Sequence, residues 1–195
     1  MRRPSLFETG TPGFRERIRR MLVRVFAQDF TDRGLVVPLD PLRRIPTQRR
    51  LAQAAQDALV EEVRRARAHS SWTAIAEATG HASASAAYRA FAHRLDDKPR
   101  FPALTESVRA ERRWSVNYVR LRVVRTPLRE VEYARAVVDA AEAQIVRSVA
   151  RARASGEPWT AIAAATGHAS ASAAHHAFGK RLSETQHRIG GVEDI

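Results

Sequence analysis

The sequence contains no cysteine, which excludes disulfide bonds, thiolate metal sites and cysteine nucleophiles. It also lacks a long apolar run, because no stretch approaches the ~20 residues that a membrane span requires. The basic N-terminus, Met1 to Pro4, is not followed by a charge-free apolar segment, so we expect neither a signal peptide nor an anchor. Together these absences predict a cytoplasmic protein that does not associate with a membrane.

Motifs for catalysis are missing as well. The chain has no phosphate-cradling glycine loop, no paired-carboxylate motif and no nucleophile elbow, so we do not expect an enzyme. His168, His175 and His176 lie close together in the sequence, but no carboxylate or thiolate accompanies them at a matching spacing. We therefore expect no metal site and no cofactor.

Positive charge is what the chain has in excess. It carries 33 Lys and Arg against 21 Asp and Glu, a formal charge of +12 over 195 residues. Such a balance favours an anionic partner, first the phosphate backbone of a nucleic acid and second an acidic membrane surface. Charge thus narrows the class of partner, although it says nothing about the fold.

The strongest pattern is an internal repeat. Residues 72–95 read WTAIAEATGHASASAAYRAFAHRL and residues 159–182 read WTAIAAATGHASASAAHHAFGKRL, with 19 of 24 positions identical at an offset of 87. Upstream the similarity continues at an offset of 86, so one residue is inserted within 155–158. The chain is therefore predicted to contain one unit twice, over about 50–95 and 136–182.

Each copy reads as three helices. The first spans about 48–68, and about 128–154 in the second copy, with apolar residues at intervals of three or four. The second runs from Trp72 to Gly80, since glycine is free to take the positive φ that often ends a helix. The third starts at Ser83 or two residues later, where a serine can cap it. Two helices joined by a tight turn, with small residues at their crossing, predict a helix-turn-helix unit.

The segments before the two units are less regular. Apolar residues recur among arginines from Phe14 to Phe30, which predicts a helix that docks on the protein core or on a second chain. A basic amphipathic helix lying on a membrane is the alternative for this segment. In the Arg-rich segment 108–130 the periodicity fits either a strand or a helix. The pattern thus also allows short strands near 31–38 and 114–124.

These patterns define the predicted architecture. We expect a mainly all-α protein made of two pseudo-symmetric helical halves, residues 1–98 and 99–195. Each half ends in a helix-turn-helix, at about 71–95 in the first and about 158–182 in the second.

The segment ARAxxxxWTAIAxATGHxSxSAAxxAF resembles helix-turn-helix units that are common in small actinobacterial DNA-binding proteins and in sigma-factor region 4. Those units typically show AR-x-x-G-x-S-W-x-x-I-A-x-x-L-G, then a serine-rich helix start and an aromatic residue. Here Thr79 and Thr166 replace the leucine before the glycine, and the turn is one residue longer than its shortest form. The resemblance covers about half of the chain and implies DNA binding, but no particular target.

In this motif the third helix enters the major groove by its N-terminal end. Hydroxyl groups can donate to phosphates or base edges, and arginine can pair with guanine. The alternative is that the serines only cap the helix and the alanines only pack. The predicted DNA contacts are the outward residues Thr73, Ser83, Ser85, Arg89 and His93 in the first copy, and Thr160, Ser170, Ser172, His176 and Lys180 in the second.

Three functions fit these patterns. The first is a sequence-specific transcriptional regulator that binds double-stranded DNA in the nucleoid and recognises two similar half-sites. The second is an architectural, nucleoid-associated protein that bridges DNA with low sequence specificity. The third is an adaptor whose helix-turn-helix units dock on RNA polymerase or on a phage or plasmid protein. Homodimerisation is compatible with each of them.

Overall fold

The structure is a computed structural model that describes residues 12–118 and 126–190, with side chains over 16–111 and 126–183. Every regular element within these ranges is helical, which confirms the predicted all-α class. A short 3-10 turn, Ala92–Arg94, follows the fourth helix. The α-helices are α1 (Pro12–Asp32), α2 (Pro41–Arg67), α3 (Trp72–Thr79), α4 (Ala84–Phe91), α5 (Pro102–Tyr118), α6 (Pro127–Ala154), α7 (Trp159–Thr166) and α8 (Ala171–Gly190).

The predicted strand near 31–38 is wrong. Helix α1 continues to Asp32, and Gly34, at φ +64°, turns the chain out of it. Residues 35–38 have no regular secondary structure, because no segment among the described residues pairs with their backbone. The second predicted strand is wrong over 114–118, which form the last turns of α5, and its remainder, 119–124, lies outside the described residues.

Helix α2 begins earlier than the pattern predicts, at Pro41 instead of about residue 48. The side chain of Asp40 accepts a hydrogen bond from the backbone N of Leu42 at 2.9 Å and so caps the first turn. Proline costs nothing at a first helical position, because the amide it lacks would have no partner there. Pro46 in the next turn does remove one helical hydrogen bond. The complete burial of Ile45 offers a compensating contribution.

The chain forms two compact units. Unit 1 contains the described residues up to Gly34 together with Arg50–Ala141, and unit 2 contains Leu35–Arg49 together with the described residues from Glu142 onward. Two of the boundaries between the units fall inside the long helices α2 and α6. The units therefore do not coincide with the predicted halves 1–98 and 99–195. The pseudo-symmetry of those halves stays a prediction.

In unit 1, helix α1 packs along α5. Its apolar stripe is buried, with Ile18, Leu22 and Phe26 at most 7% exposed, and Val108 of α5 is buried as well. The expectation that this stripe docks on the protein core is thus confirmed. Within 12–118 and 126–190, no helix combines the length and the apolar character that crossing a membrane would require.

Unit 2 has its own core. Ile45 from α2 packs with Val149 from α6, Ile162 from α7 and Phe178 from α8. The first turns of α2 therefore support the second helix pair, although more than half of the chain separates them in sequence. This arrangement positions α7 and α8 on a scaffold taken from two separate stretches of the chain.

Candidate nucleic-acid interface

The two candidate sites are helix pair 1, formed by α3 and α4, and helix pair 2, formed by α7 and α8. In helix pair 1, Ser71 caps the start of α3 and Gly80, at φ +72°, ends it as predicted. The Oγ of Ser83 accepts a hydrogen bond from the backbone N of Ala86 at 3.1 Å. The N-cap of α4 is therefore Ser83 and not Ser85, and residues 80–83 form the turn.

Helix pair 2 has the same turn. Gly167 ends α7 at φ +67°, and the Oγ of Ser170 accepts from the backbone N of Ala173 at 3.1 Å. Pro158 takes the N-cap position of α7, where the first copy has a serine. The inserted residue lies in the loop that ends α6, where Gly156 has φ +86°. The insertion thus changes the loop before the helix pair and leaves the pair itself unaltered.

A hydrogen bond between a buried threonine and a histidine stabilises each turn. The Oγ1 of Thr79 lies 2.7 Å from the carbonyl oxygen of Ile75 and 2.7 Å from Nδ1 of His81. A hydroxyl has one hydrogen, so both contacts are satisfied when Thr79 donates to the carbonyl and Nδ1–H of His81 donates to Thr79. Thr166 and His168 repeat the contact at 2.7 Å. This pair accounts for the threonine that replaces the usual leucine.

The histidine rings also pack against aromatic side chains. The ring of His81 meets Phe91 edge to face at 5.4 Å between centroids, and His168 meets Phe178 at 5.5 Å. Burial lowers the pKa of His81, and the positive charge of Arg135 lowers it further. The neutral ring is therefore the favoured form inside the fold, and it acts as part of the scaffold.

All ten predicted contact residues are exposed. On α4, Ser85 and Arg89 lie one turn apart on the side opposite the buried Ala87 and Phe91. His93 falls in the 3-10 turn after α4, whereas α8 continues without a break through its counterpart. The exposed set is Thr73, Ser83, Ser85, Arg89 and His93 in helix pair 1, and Thr160, Ser170, Ser172, His176 and Lys180 in helix pair 2.

A ring stack that sequence reasoning missed lies beside the contact face of helix pair 1. The guanidinium of Arg67 lies 4.9 Å above the ring of Trp72, and its Nη1 donates to the carbonyl oxygen of Ser70 at 2.6 Å. The ring of Tyr88 meets the same tryptophan edge-on at 5.4 Å. Tyr88 is 55% exposed, so α4 presents an aromatic ring whose orientation the tryptophan fixes.

Helix pair 2 carries the same ring stack with one member changed. Arg153 lies 5.1 Å above the ring of Trp159 and donates to the carbonyl oxygen of Glu157 at 2.6 Å. His175 takes the place of the tyrosine, at 5.1 Å from the tryptophan ring. The signal for this stack was present in the sequence, because the arginine recurs at the offset of the repeat. In the part of the chain whose side chains are described, no three His, Asp or Glu residues gather as a metal ion would require.

The two copies thus share the turn and the serine cap of the recognition helix, and they differ in the cap of the preceding helix, in one ring of the stack and in the outermost side chains. No known protein family, curated protein or solved structure matches this chain. The evidence for a binding site is therefore the geometry of the two helix pairs and its occurrence in both copies.

Some arginines form ion pairs within the fold, whereas other cations are left to bind a partner. Arg94 lies 3.4 Å from a carboxylate oxygen of Asp57, and Arg181 lies 3.4 Å from one of Glu142. Each arginine ties the end of its helix pair to a long helix, which explains why both copies keep it. By contrast, no ion pair within 16–111 and 126–183 is formed by the predicted contacts Arg89, His176 and Lys180.

Proposed function

We propose that this chain is a DNA-binding protein with two tandem helix-turn-helix units, and that it acts as a sequence-specific transcriptional regulator. Its partner is double-stranded DNA, and its place of action is the nucleoid. Each helix pair enters the major groove with the outward face of α4 or α8, as recognition helices of this motif do. Linking two such units in one chain raises the effective concentration of the second once the first has bound.

One observation carries this proposal. Where side chains are described, the outward face of each recognition helix is exposed, polar and free of negative charge, since neither 84–94 nor 171–183 contains a carboxylate. Small residues beside the caps allow a close approach, and the exposed serine hydroxyls can donate to phosphates or base edges. Arg89 has the donor geometry that pairs with guanine.

The two helix pairs favour similar but unequal half-sites. The run TGHASASAA is identical in both, so the backbone would approach DNA in the same way. Tyr88 and Arg89 become His175 and His176, which changes the groups that meet the base edges. We therefore expect a bound sequence that contains two related half-sites, one for each helix pair.

Selection of bound fragments from random DNA, followed by competition measurements across salt concentrations, tests the proposal. We expect an enriched motif with two related parts and an affinity well above that for random duplex. An affinity ratio near one, combined with a steep salt dependence, would instead assign the chain to the architectural class.

A double variant tests whether the assigned faces bind the DNA. Arg89→Ala with His176→Ala should weaken specific binding by roughly 1–3 kcal/mol for each side-chain contact with a base that the substitutions remove. Lys98→Ala is the matched control, because Lys98 is an exposed cation outside either recognition helix. Unchanged DNA affinity in the double variant would favour the protein-docking adaptor, for which the polymerase is the partner to test.

A further inference from the structure

Arg49 lies directly on the turn of helix pair 2. A Cβ placed on Gly167 would overlap Nη1 of Arg49 and would come within 3.0 Å of its Cζ, so the guanidinium rests on the backbone of the turn glycine. Arg49 belongs to the 35–49 segment, which is part of unit 2. Its side chain is exposed and forms no ion pair with any residue in the described ranges. An unneutralised cation is thus added to helix pair 2 by a distant part of the sequence.

Helix pair 1 lacks the contact with the turn glycine, although the corresponding arginine is present. At the offset of 86, Arg49 corresponds to Arg135 of α6, which lies in unit 1. The guanidinium of Arg135 is held by Asp139 at 2.7 Å, one helical turn along. Nothing lies within 4 Å of a Cβ placed on Gly80. Arg49 lacks such an ion pair because Gln53 stands where the second copy has Asp139.

Other charge differences have the same direction. Glu77 is exposed on α3, whereas its counterpart on α7 is Ala164. His93 becomes Lys180 after the recognition helix. Over the residues whose side chains are described, unit 2 has eight Lys or Arg against three Asp or Glu, whereas unit 1 has sixteen against fourteen. Helix pair 2 therefore lies in the more positive environment.

We infer that unit 2 is the anchoring unit of this protein, and that Arg49 is a phosphate-binding residue of its DNA site. This inference rests on the proposed function and adds the order in which the two units bind DNA. An arginine that no carboxylate neutralises gains more from a phosphodiester than one already paired. The duplex is held first by unit 2, and the contact with unit 1 then forms within the same complex.

The test compares Arg49→Gln with the matched variant Arg135→Gln in the full chain. The probe is a random-sequence duplex of about 30 base pairs, roughly three helical turns. Its dissociation constant is measured between about 50 and 200 mM salt. Arg49→Gln should weaken binding by roughly three- to tenfold and reduce the slope of log K against log salt by about 0.9, the effect of removing one phosphate from the interface. Arg135→Gln should leave both quantities within error of the wild type.

Further variants exclude a merely structural effect. Arg49→Lys keeps the charge and should keep the slope, which a role in packing alone does not predict. Asp139→Asn releases Arg135, and Glu77→Ala removes the carboxylate of helix pair 1, so each should tighten binding to the same probe. Circular dichroism confirms that every variant retains its helices.

The outcomes separate this inference from the function on which it rests. A wild-type chain that does not bind the duplex would overturn the DNA-binding proposal itself. A wild type that binds with a clear salt dependence, beside an Arg49→Gln variant of equal affinity and slope, would overturn only the anchoring role. Equal losses from Arg49→Gln and Arg135→Gln would do the same.

Discussion

Two threonines, Thr79 and Thr166, each bury a hydroxyl group directly before a turn glycine. A buried hydroxyl without a partner costs about 1–3 kcal/mol, so an apolar residue would be the simpler choice at this position. Here each hydroxyl donates to a carbonyl oxygen one turn back and accepts from the histidine that follows the glycine. The turn is thereby fixed by side chains as well as by glycine conformation.

The histidine of the first turn makes the stability of unit 1 depend on pH. The pKa of His81 is lowered from its ordinary 6.5, because burial disfavours the charged ring and Arg135 adds repulsion. Below that value the unfolded chain takes up a proton more readily than the folded chain. The contribution to stability is therefore complete above about pH 6.5 and decreases as the pH falls toward the folded pKa.

We expect thermal unfolding measured from about pH 7.5 to pH 5.5 to show this loss, and His81→Gln to reduce it. His69→Gln is the matched control, since it is the same substitution at an exposed position. An equal pH dependence in the wild type and in His81→Gln would contradict the prediction.

At the scale of the element, α4 and the first turns of α8 share one design. Their inward residues are the same, with Ala87 and Phe91 repeated as Ala174 and Phe178. Their N-caps are serines with the same 3.1 Å hydrogen bond. The outward residues differ, so the contact face of the helix varies while its buried face stays the same.

This independence predicts the result of exchanging faces. Tyr88→His combined with Arg89→His gives α4 the outward pair of α8, and the ring at position 88 keeps its tryptophan partner. DNA selected by this variant should contain two half-sites of one type in place of two different ones. Losing an arginine that pairs with guanine is worth about 1–3 kcal/mol of discrimination at that base.

The reciprocal exchange, His175→Tyr with His176→Arg, is the control for this experiment. It should produce two half-sites of the other type, because the remainder of the motif is unchanged. If both exchanged proteins select the wild-type sequence, the specificity lies elsewhere on the molecule.

At the scale of the whole molecule, each unit is assembled from two separate stretches of the chain. Ile45 of α2 is fully buried in unit 2, and Val131, its counterpart on α6 at the offset of 86, is fully buried in unit 1. A long helix therefore contributes its first turns to one unit and its last turns to the other. The two units cannot be separated by a single cut between the repeats.

This arrangement predicts long-range effects of two matched variants. Ile45→Ala should destabilise unit 2 by about 2–5 kcal/mol and weaken DNA binding through helix pair 2, although residue 45 is distant in sequence. Val131→Ala should cause a smaller loss in unit 1, because it removes less apolar volume. Hydrogen exchange of the amides of α3 and α7 distinguishes the two effects. If Ile45→Ala increased the amide exchange of α3 and left that of α7 unchanged, this assignment would be contradicted.

The sequence by itself determined the local features of this protein. The helices of both copies, the turn glycines and the exposure of the ten contact residues follow from it, because short-range hydrogen bonds and helical periodicity produce them. It also allowed strands over 31–38 and 114–118 that did not form, since an apolar alternation makes a strand only where a second strand pairs with it. The start of α2 was missed because prolines usually interrupt a helix, whereas here the Asp40 cap and the burial of Ile45 support its first turns.

Only the tertiary structure decided how the long helices are divided and which cations are available. The contact of Ile45 with Val149 and that of Arg49 with Gly167 each join residues more than one hundred positions apart. No local rule predicts such contacts, because they depend on where an amphipathic helix finds an apolar surface to cover. The same packing leaves Arg49 exposed beside its turn, while Asp139 forms an ion pair with its counterpart, Arg135. Two nearly identical segments thereby became two sites with different charge.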